Sequence, residues 1–569
     1  RPFLPSNSVY RLPSGLGDLL RGLAGKLRRG FRLLPKPGSF RRDCLALAAL
    51  TGLLFAVQFK PWSGDGYDDV FYYSYLSSPF FDGDLDVAND YALSDAPLQT
   101  IRSTLLTVGP KGLVLNQFAI GSSLLWLPFF ALVRGAGLLG QCLGLSGFDW
   151  VGDRFALPYR MAVSLGSLAC GFLTLVLVYA TCRMLFRRGP ALLAAVAVAF
   201  ASPLLAYTFV YSGMSHAPSA FAMALLVYLS LRHRKFSRPA SCILVGAASA
   251  LVVLVRWQDV ILLALPLVLW LSRMVSGRVP SVSARRELAG AGAGLAVCLA
   301  FLGLQMSYWK ATFGSFVTIP QGSGFMRWTE PELLKTLFSG YHGLFYWHPL
   351  LLAGPAGLLI MAAARRWRLI AVLCLGLFAV SVYINAAAYD WFAGASFGAR
   401  RFSSVLPLLA IGIAALFSRL PRRWFPGAVA ATAGAVVLNL LLLAAYQRRL
   451  LDAYFSSDVR RMGADILEPL AGVIATLPLE GTVGTLLVLN GRWPQALAIL
   501  LSGWGVLGLL CLLVRRRVSL EGRLFRWSTV AGVTLALLAS GLMLLKSPRA
   551  DELGGRLKQV EPAVRAACG

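Results

Sequence analysis

Acidic residues are rare in this chain, and several of them stand together in a stretch that could do acid–base chemistry. The sequence has 26 Asp and Glu among 569 residues, yet Asp65, Asp68 and Asp69 follow directly on the first long apolar segment, residues 44–59. A carboxylate can take a proton from a hydroxyl or an amine. In a helix, Asp68 and Tyr72 would share one face because they are four positions apart. The stretch therefore predicts a functional site, and the alternative is a solvated acidic loop.

The composition indicates a membrane protein. The chain is 57% hydrophobic and 14% charged, with a mean hydropathy of +0.66, and apolar runs of about 20 residues recur along it, the length that spans a bilayer as a helix. A β-barrel would need segments of alternating polarity instead. The net charge of +28 could suggest nucleic acid, but the basic residues form short bursts between apolar runs, as in cytoplasmic loops. We predict an all-α polytopic protein that binds no nucleic acid.

The basic bursts also predict a topology. Residues 1–42 are basic and would be a cytoplasmic N-terminal segment. With the later bursts also inside, about 13 to 14 transmembrane helices result, and residues 112–150 must be two short passes or a re-entrant segment. The predicted regions are a transmembrane core at 43–446 with external loops at 60–115 and 309–345, an external loop at 447–494, a transmembrane hairpin at 495–546 and a tail at 547–569. Most polar residues outside the bursts face outward in this topology, which favours an external active site.

Three motifs, in this order, resemble the polyprenyl-phosphate-dependent membrane glycosyltransferases of the GT-C fold. The first is Asp68-Asp69-Val70-Phe71-Tyr72 after the first apolar segment. The second is Leu157-Pro158-Tyr159-Arg160-Met161 at the start of a span, and the third is Gly213-Met214-Ser215-His216-Ala217-Pro218. These motifs resemble those of the protein O-mannosyltransferases and the lipid A aminoarabinose transferases, which are of the glycosyltransferase family 39 type. The resemblance covers residues 43–275. Those families usually carry Asp where this chain has His216.

The resemblance implies a GT-C-like helical bundle whose long first external loop carries membrane-parallel helices. It also implies a catalytic carboxylate, Asp68, with Asp69 beside it. A sugar on a lipid phosphate already has a good leaving group, so one base for the acceptor is enough, in contrast to the carboxylate pair of a glycosidase. Cations must stabilise the charge on the departing phosphate. Asp65 and Tyr72 are candidates for substrate contact.

Arginine forks suit phosphate because they donate two parallel hydrogen bonds. The candidates for the donor phosphate are Arg256, Arg400, Arg401 and Lys111. Arg256 ends an apolar run on the side predicted to be external, and its alternative is a snorkelling arginine at the interface. Arg400 and Arg401 could instead form a salt bridge with Asp390.

Other polar residues have less specific surroundings. His216, Gln258, His342 and His348 are candidates for substrate binding, although the aromatic residues around the last two also suit an interfacial belt. The Asp82-Gly83-Asp84-Leu85-Asp86 run could be a solvated turn or bind a divalent cation; we expect no cofactor and no metal requirement. We attribute the Gly290–Gly294 repeat to close helix packing, since no strand precedes it as a dinucleotide site requires.

The sequence thus predicts an inverting membrane glycosyltransferase. It would transfer a sugar from a polyprenyl-phosphate donor to a lipid, glycan or protein acceptor at the external, periplasmic face of a bacterial inner membrane. The alternatives are a transporter or flippase for lipid-linked substrates, in which Asp68 would couple to protons, and a catalytically silent scaffold.

Overall fold

The chain is almost entirely helical in a computed structural model. The structure describes residues 37–64, 66–96, 104–233, 239–276, 281–322, 324–451 and 493–517. Two isolated β-bridges interrupt the helices in this part of the chain, Val108 with Val114 and Met326 with Ala388. The predicted all-α class is confirmed. Asp65, most of the basic N-terminal segment, most of 447–494 and the second helix of the 495–546 hairpin lie outside the described residues.

The helices of the first half of the chain pack around one long and mostly buried helix, Leu157–Leu185. They are α1 (Pro37–Gln58), α2 (Tyr67–Phe81), α3 (Ala88–Ala92), α4 (Gly121–Cys142), a 3₁₀ turn (Asp149–Gly152), α5 (Leu157–Leu185), α6 (Arg188–Phe200), α7 (Leu204–Phe209), α8 (His216–Arg232), α9 (Pro239–Val255), a 3₁₀ turn (Trp257–Leu263) and α10 (Ala264–Val275). The apolar run at 190–210, long enough for one span, forms two helices instead. The chain turns at Ser202, whose hydroxyl accepts a hydrogen bond from the Leu204 amide at 3.1 Å.

The second half adds the helices that carry two of the candidate arginines. They are α11 (Ser281–Phe313), α12 (Leu333–Phe338), α13 (Leu344–Trp347), a 3₁₀ turn (Pro349–Leu352), α14 (Ala353–Ala362), α15 (Arg368–Ala387), a 3₁₀ turn (Arg400–Val405), α16 (Leu406–Arg419), a 3₁₀ turn (Arg422–Trp424), α17 (Phe425–Gln447) and α18 (Trp493–Arg517).

Eight helical segments in the described residues are long and apolar enough to cross a membrane, and three shorter apolar helices accompany them. The central ones, α5 and the segment that ends with α16, are mostly buried by other helices, whereas α11 and α18 expose most of their apolar surface. Such all-round apolar helices are typical of a membrane protein. Residues 121–142 form one helix instead of two short passes, and its first residue packs against the backbone of Leu254 and Val255.

Small residues bring α9 and α11 into close contact. A Cβ atom at Gly294 would lie 2.5 Å from the carbonyl oxygen of Cys242, and one at Gly246 would clash with the backbone of Gly294 itself. This close approach of two backbones is what small residues permit between membrane helices. It agrees with the packing interpretation of the Gly290–Gly294 repeat.

The segment between α1 and α4 is held together by Arg154. Its guanidinium lies 2.8 Å from carboxylate oxygens of both Asp82 and Asp90, and its carbonyl oxygen accepts a hydrogen bond from the Tyr73 hydroxyl. Asp90 also accepts a hydrogen bond from Ser77 of α2 at 2.5 Å. These contacts connect α2, α3 and the start of α5, and so fix the position of α2, which carries Asp68.

Candidate active site

Asp68 stands at the start of a helix that the rest of the fold encloses. Both Asp68 and Asp69 lie in the first turn of α2, and Gly66 precedes the helix without a side-chain cap. Carboxylates are favoured at this end, where the helix dipole is positive. Val70 and Tyr73 are fully buried, so packing fixes the direction of the helix. The first turn is thereby held rigidly, with the Asp68 side chain still 22% exposed.

Asp68 pairs with a residue more than 300 positions away. A carboxylate oxygen of Asp68 lies 3.0 Å from Nη1 of Arg400, whose side chain is 13% exposed. Arg400 Nη1 also lies 3.7 Å from the sulfur of Met214, in the third motif. The predicted base and one predicted phosphate ligand are therefore in direct contact at the edge of the protein interior.

Arg256 lies in the same cluster. It follows the last residue of α9 and is only 8% exposed. Its Nη1 lies 3.4 Å from Nδ1 of His216 and donates to the carbonyl oxygen of Arg401 at 3.3 Å. In the described part of the chain, no carboxylate forms an ion pair with Arg256. The buried carboxylate of Asp259 attracts Arg256 electrostatically but accepts its hydrogen bonds from Ser219 and Ser404. The hydrogen-bond contacts of the Arg256 guanidinium are thus with neutral groups, which favours an anionic ligand because incompletely paired buried charge is costly.

Arg401 has a different environment from its neighbour. Its guanidinium donates to the backbone oxygen of Asp390 at 3.0 Å and to the carboxylate of Asp390 at 2.5 Å. This is the salt bridge that the sequence offered as the alternative role of the pair. Arg401 therefore contributes charge to the cluster while its own hydrogen bonds hold the 390–401 segment together. In the contacts described, Arg400 and Arg256 each use only Nη1, whereas both terminal nitrogens of Arg401 are in use.

Tyr72 shares its face of α2 with Asp68, as the spacing predicts. Its hydroxyl accepts a hydrogen bond from Ser215 Oγ at 2.8 Å, which connects α2 to the third motif. Burial raises the pKa of Tyr72 to about 12, and the negative charge of Asp68 adds to the rise. Tyr72 is thus a neutral hydroxyl at neutral pH, suited to hydrogen bonding and not to proton abstraction.

Asp69 has a separate environment from Asp68. Its carboxylate accepts a hydrogen bond from the Trp62 indole nitrogen at 2.5 Å, and the residue is buried. Gly213 packs against both of these side chains. This contact explains Asp69 as an anchor between the first turn of α2, the preceding segment and the third motif. Asp68 is the carboxylate of the pair that meets the arginines.

The other predicted site residues are less central. Gln258 is half-buried in the 3₁₀ turn after Arg256. Lys111 is exposed in the turn between the bridged Val108 and Val114, and within the described residues it has no contact with the arginine cluster. Asp65 lies outside the described residues.

The two histidines after α12 are both buried. His342 Nδ1 lies 2.6 Å from the carbonyl oxygen of Phe392, and burial lowers the pKa of His342 to about 4. Burial likewise lowers the pKa of His348 to about 3, and neither ring nitrogen has a hydrogen-bond partner in the described part of the chain. Both side chains are therefore neutral, and the Phe397 ring lies near His348 at 6.1 Å between centroids.

The acidic run from Asp82 to Asp86 has structural contacts. Asp82 pairs with Arg154. Asp84 is buried and accepts hydrogen bonds from Ser78 Oγ at 2.7 Å and from the Asp86 amide at 3.1 Å. The Asp86 carboxylate accepts a hydrogen bond from the amide of Ala88, at the start of α3, at 3.1 Å. The solvated-turn interpretation is therefore wrong for Asp84, because its carboxylate organises the turn from inside.

Tyr207 lies beside the arginine cluster, and no pattern in the sequence predicted it as part of the site. Tyr207 of α7 is 1% exposed, and its hydroxyl lies 3.2 Å from both the amide nitrogen and the carbonyl oxygen of Phe397. Its ring centroid lies 4.4 Å from that of His216. The 190 positions between Tyr207 and Phe397 give no spacing pattern that could predict the contact.

The arrangement is suited to acid–base chemistry beside a bound anion. A partly exposed carboxylate contacts one guanidinium, and a second guanidinium lies near it with no carboxylate in contact among the described residues. A phosphate can accept bidentate hydrogen bonds from arginines. A group that develops negative charge next to these cations would be stabilised in a site of low polarity.

A family model matches the part of the chain that contains several of these residues. Residues 159–303 match the family described as dolichyl-phosphate-mannose-protein mannosyltransferase. The matched segment contains Tyr207, His216 and Arg256. It begins near the start of α5 and ends within α11. No curated protein sequence gives a significant match.

Several solved structures are similar to this chain at low identity. One is ArnT from Cupriavidus metallidurans in the apo state, with 15% identity, a TM-score of 0.43 and coverage of 82% of this chain and 76% of that chain. Two are oligosaccharyltransferase structures from Archaeoglobus fulgidus, at 14% and 15% identity with TM-scores of 0.36 and 0.37; this chain covers 55% of each. The family match at residues 159–303 confirms the resemblance to the GT-C glycosyltransferases that the sequence motifs indicated.

Proposed function

We propose that this chain is an inverting glycosyltransferase that moves a sugar from a polyprenyl-phosphate donor to a hydroxyl or amine acceptor. Asp68 is the general base, and Arg256 and Arg400 bind the donor phosphate. The reaction takes place at the external face of a bacterial inner membrane. The observation that carries the proposal is that Asp68 contacts Arg400 while Arg256 contacts the backbone of the next residue, Arg401, so that three distant parts of the sequence come together.

The chemistry needs one proton transfer and one displacement. Asp68 takes the proton from the acceptor as its oxygen or nitrogen attacks the anomeric carbon of the sugar. The bond from that carbon to the phosphate oxygen breaks, and the polyprenyl phosphate leaves with the electron pair. A single displacement of this kind inverts the anomeric carbon. Arg256 and Arg400 stabilise the charge that increases on the phosphate, the role expected of preorganised cations.

The Asp68–Arg400 pair has a consequence for the order of events. While Arg400 holds Asp68, the guanidinium occupies a carboxylate oxygen, which is then not free to accept a hydrogen bond from the acceptor. A donor phosphate that takes Arg400 as its ligand would release Asp68 for the acceptor. We therefore expect the base to become available to the acceptor only after the donor is bound.

The direct test is transfer by the purified full-length protein in lipid nanodiscs. It would be incubated with radiolabelled polyprenyl-phosphate sugars of several types and with lipid and glycan fractions of a bacterial envelope as acceptors. Wild type should give labelled product. Asp68→Asn should abolish it, and Arg256→Ala should reduce it by about 30-fold, the loss expected for a hydrogen bond to a charged group.

The control and the competing outcomes use the same preparation. Lys335→Ala removes an exposed cation that pairs with Glu332 far along the chain from these motifs, and it should retain wild-type transfer. Movement of the intact donor lipid across a proteoliposome bilayer without any labelled product would favour the transporter alternative instead. Full transfer by Asp68→Asn would contradict the proposed base.

A further inference from the structure

Two candidate cations depend on one short turn for their position. Arg400 and Arg401 follow the turn of residues 397–399, here called the arginine turn, and both lie at the start of the 3₁₀ turn Arg400–Val405. Within this segment, the amide of Arg400 donates to the carbonyl oxygen of Gly398 at 2.9 Å, and the amide of Phe402 donates to that of Ala399 at 3.1 Å. These local bonds fix the shape of the turn but not its place in the bundle.

Tyr207 holds the beginning of the arginine turn. Its hydroxyl accepts a hydrogen bond from the Phe397 amide and donates one to the Phe397 carbonyl oxygen, both at 3.2 Å. A phenolic hydroxyl can do both at once because it has one proton and two lone pairs. Tyr207 and Phe397 are both buried, so water does not replace these bonds easily. One side chain therefore satisfies both backbone groups of the residue that opens the turn.

The other side of the turn rests on an imidazole. Gly398 has φ of +61°, a backbone conformation that costs little only for glycine. A Cβ atom there would lie 2.6 Å from Nε2 of His348. The turn thus passes between Tyr207 and the neutral His348 ring, and the missing side chain of Gly398 is what lets the backbone pass.

Tyr207 also contacts the second half of the cluster. Its ring lies 4.4 Å from the ring of His216, and His216 Nδ1 lies 3.4 Å from Arg256. The same tyrosine therefore supports Arg400 through the backbone of the turn, and Arg256 through its ring contact with His216. A shift of the turn relative to Tyr207 would change the distance between these two cations.

We propose that Tyr207 is a positioning residue, which sets the spacing of Arg400 and Arg256 for a phosphate while touching no substrate itself. The inference rests on the proposed function for the identity of the anion. Removing the hydroxyl leaves the buried amide and carbonyl of Phe397 without their partner, and an unpaired buried polar group destabilises its surroundings. The turn then relaxes, and misplacement of the guanidinium groups by a fraction of an ångström weakens phosphate binding.

The experiment compares two ligands that differ only in the phosphate. Binding of radiolabelled polyprenyl phosphate and of the corresponding polyprenol would be measured with wild type and Tyr207→Phe in nanodiscs. We expect polyprenyl phosphate to bind about tenfold more weakly to the variant, with polyprenol binding unchanged. A role in folding alone would lower both affinities together, so the ratio of the two reports the position of the arginines.

Tyr159→Phe is the matched control. Tyr159 is fully buried, and its hydroxyl also makes two hydrogen bonds, to the Val151 carbonyl oxygen at 3.0 Å and from Arg134 at 3.2 Å. It should leave the affinity ratio as in wild type. If Tyr207→Phe and Tyr159→Phe give the same ratio, Tyr207 has no positioning role.

A second variant covers the case in which Tyr207→Phe does not fold. Gly398→Ala displaces the same turn from its other side, by contact with His348 and by strain at φ of +61°. We expect the same selective loss of polyprenyl phosphate binding, and an unchanged affinity ratio would overturn the proposal. Because binding needs no transfer, a wild type that binds the lipid phosphate but forms no product would disprove the proposed function and leave this comparison valid.

Discussion

Two clusters of carboxylates and arginines flank α2, and they have opposite charge arrangements. At one end, a single guanidinium, Arg154, is held between the carboxylates of Asp82 and Asp90 and is nearly enclosed. At the other end, the partly exposed Asp68 contacts Arg400, and Arg256 donates to the backbone of the adjacent Arg401. Acids outnumber cations in the first cluster, and cations outnumber contacting acids in the second.

The difference separates a structural ion pair from a binding site. In the Arg154 cluster, every charged group has a partner within the described residues, so an added ligand would have to displace a protein contact. In the Asp68 cluster, Arg256 contacts neutral groups and Asp68 faces an accessible side. Perturbed charge alone does not identify function. An unbalanced and accessible charge at the meeting point of several motifs is the better guide.

The largest expected effect is on the rate of transfer. Asp68→Asn should lower the initial rate with a radiolabelled donor by about 10³-fold, since a general base contributes on that order. Its melting temperature should stay close to that of wild type, because the lost partner of Arg400 is partly exposed. Asp82→Asn, in the other cluster, should show the reverse: a lower melting temperature and measurable transfer by the folded fraction. Equal rate losses in both variants would remove the distinction between the clusters.

The next effect is on stability. Arg154→Ala leaves the buried carboxylate of Asp90 without its cation, which should lower the free energy of unfolding by about 3 kcal/mol. The loss should be concentrated in α2 and α3, where hydrogen exchange can measure it. Arg256→Ala provides the comparison, because no ion pair is broken among the described residues. Similar destabilisation by both substitutions would contradict the structural assignment of the Arg154 cluster.

A smaller effect concerns the competition for Arg400. Asp68→Asn should block transfer, yet the variant should bind polyprenyl phosphate about fivefold more tightly. The carboxylate that competes for the Arg400 guanidinium is gone, and a partly exposed ion pair of this kind contributes about 1 kcal/mol. Scintillation binding in nanodiscs measures this directly. Unchanged or weaker binding would indicate that Arg400 does not exchange Asp68 for the phosphate.

The smallest effect is a pH dependence of the structural cluster. Burial outweighs the attraction of Arg154 and raises the pKa of Asp90 from its usual value near 3.8 to about 7. Between these values the folded state binds a proton that the unfolded state releases, so the free energy of unfolding falls as pH rises from about 4 to 7. Melting temperatures at pH 5 and pH 8 should therefore differ more for wild type than for Asp90→Asn. The same difference in both would exclude Asp90 as the source.

The positions of several helices could be predicted from the sequence, for an identifiable reason. Apolar runs of membrane length are a local property, so α5, α8 and α9 begin and end within about three residues of the apolar runs at 155–182, 216–231 and 240–256. The shared face of Asp68 and Tyr72 follows from helical periodicity. Arg256 and Arg400 were chosen as candidates by residue type and by their place at the ends of apolar runs, and their role stays a prediction. Lys111, chosen by type alone, stands apart from the cluster in the described structure.

Other features had no local signal. Asp68 and Asp69 are neighbours of identical type, and only the position of the Trp62 indole gives them different roles. Asp84 was expected in a solvated turn because it follows Gly83 within an acidic run, but it is buried and accepts a hydrogen bond from Ser78. Tyr207 is one of 18 tyrosines, and its hydrogen bonds to Phe397 depend on how α7 meets a segment 190 positions later.

By itself, the sequence determined that this chain is a helical membrane protein with a carboxylate-rich motif after its first apolar segment. Hydrophobic runs and helical periodicity act over 4 to about 20 residues, and both can be read along the chain. The tertiary structure decided which carboxylate meets which arginine. Those contacts join residues tens to hundreds of positions apart, and their distances depend on how whole helices pack.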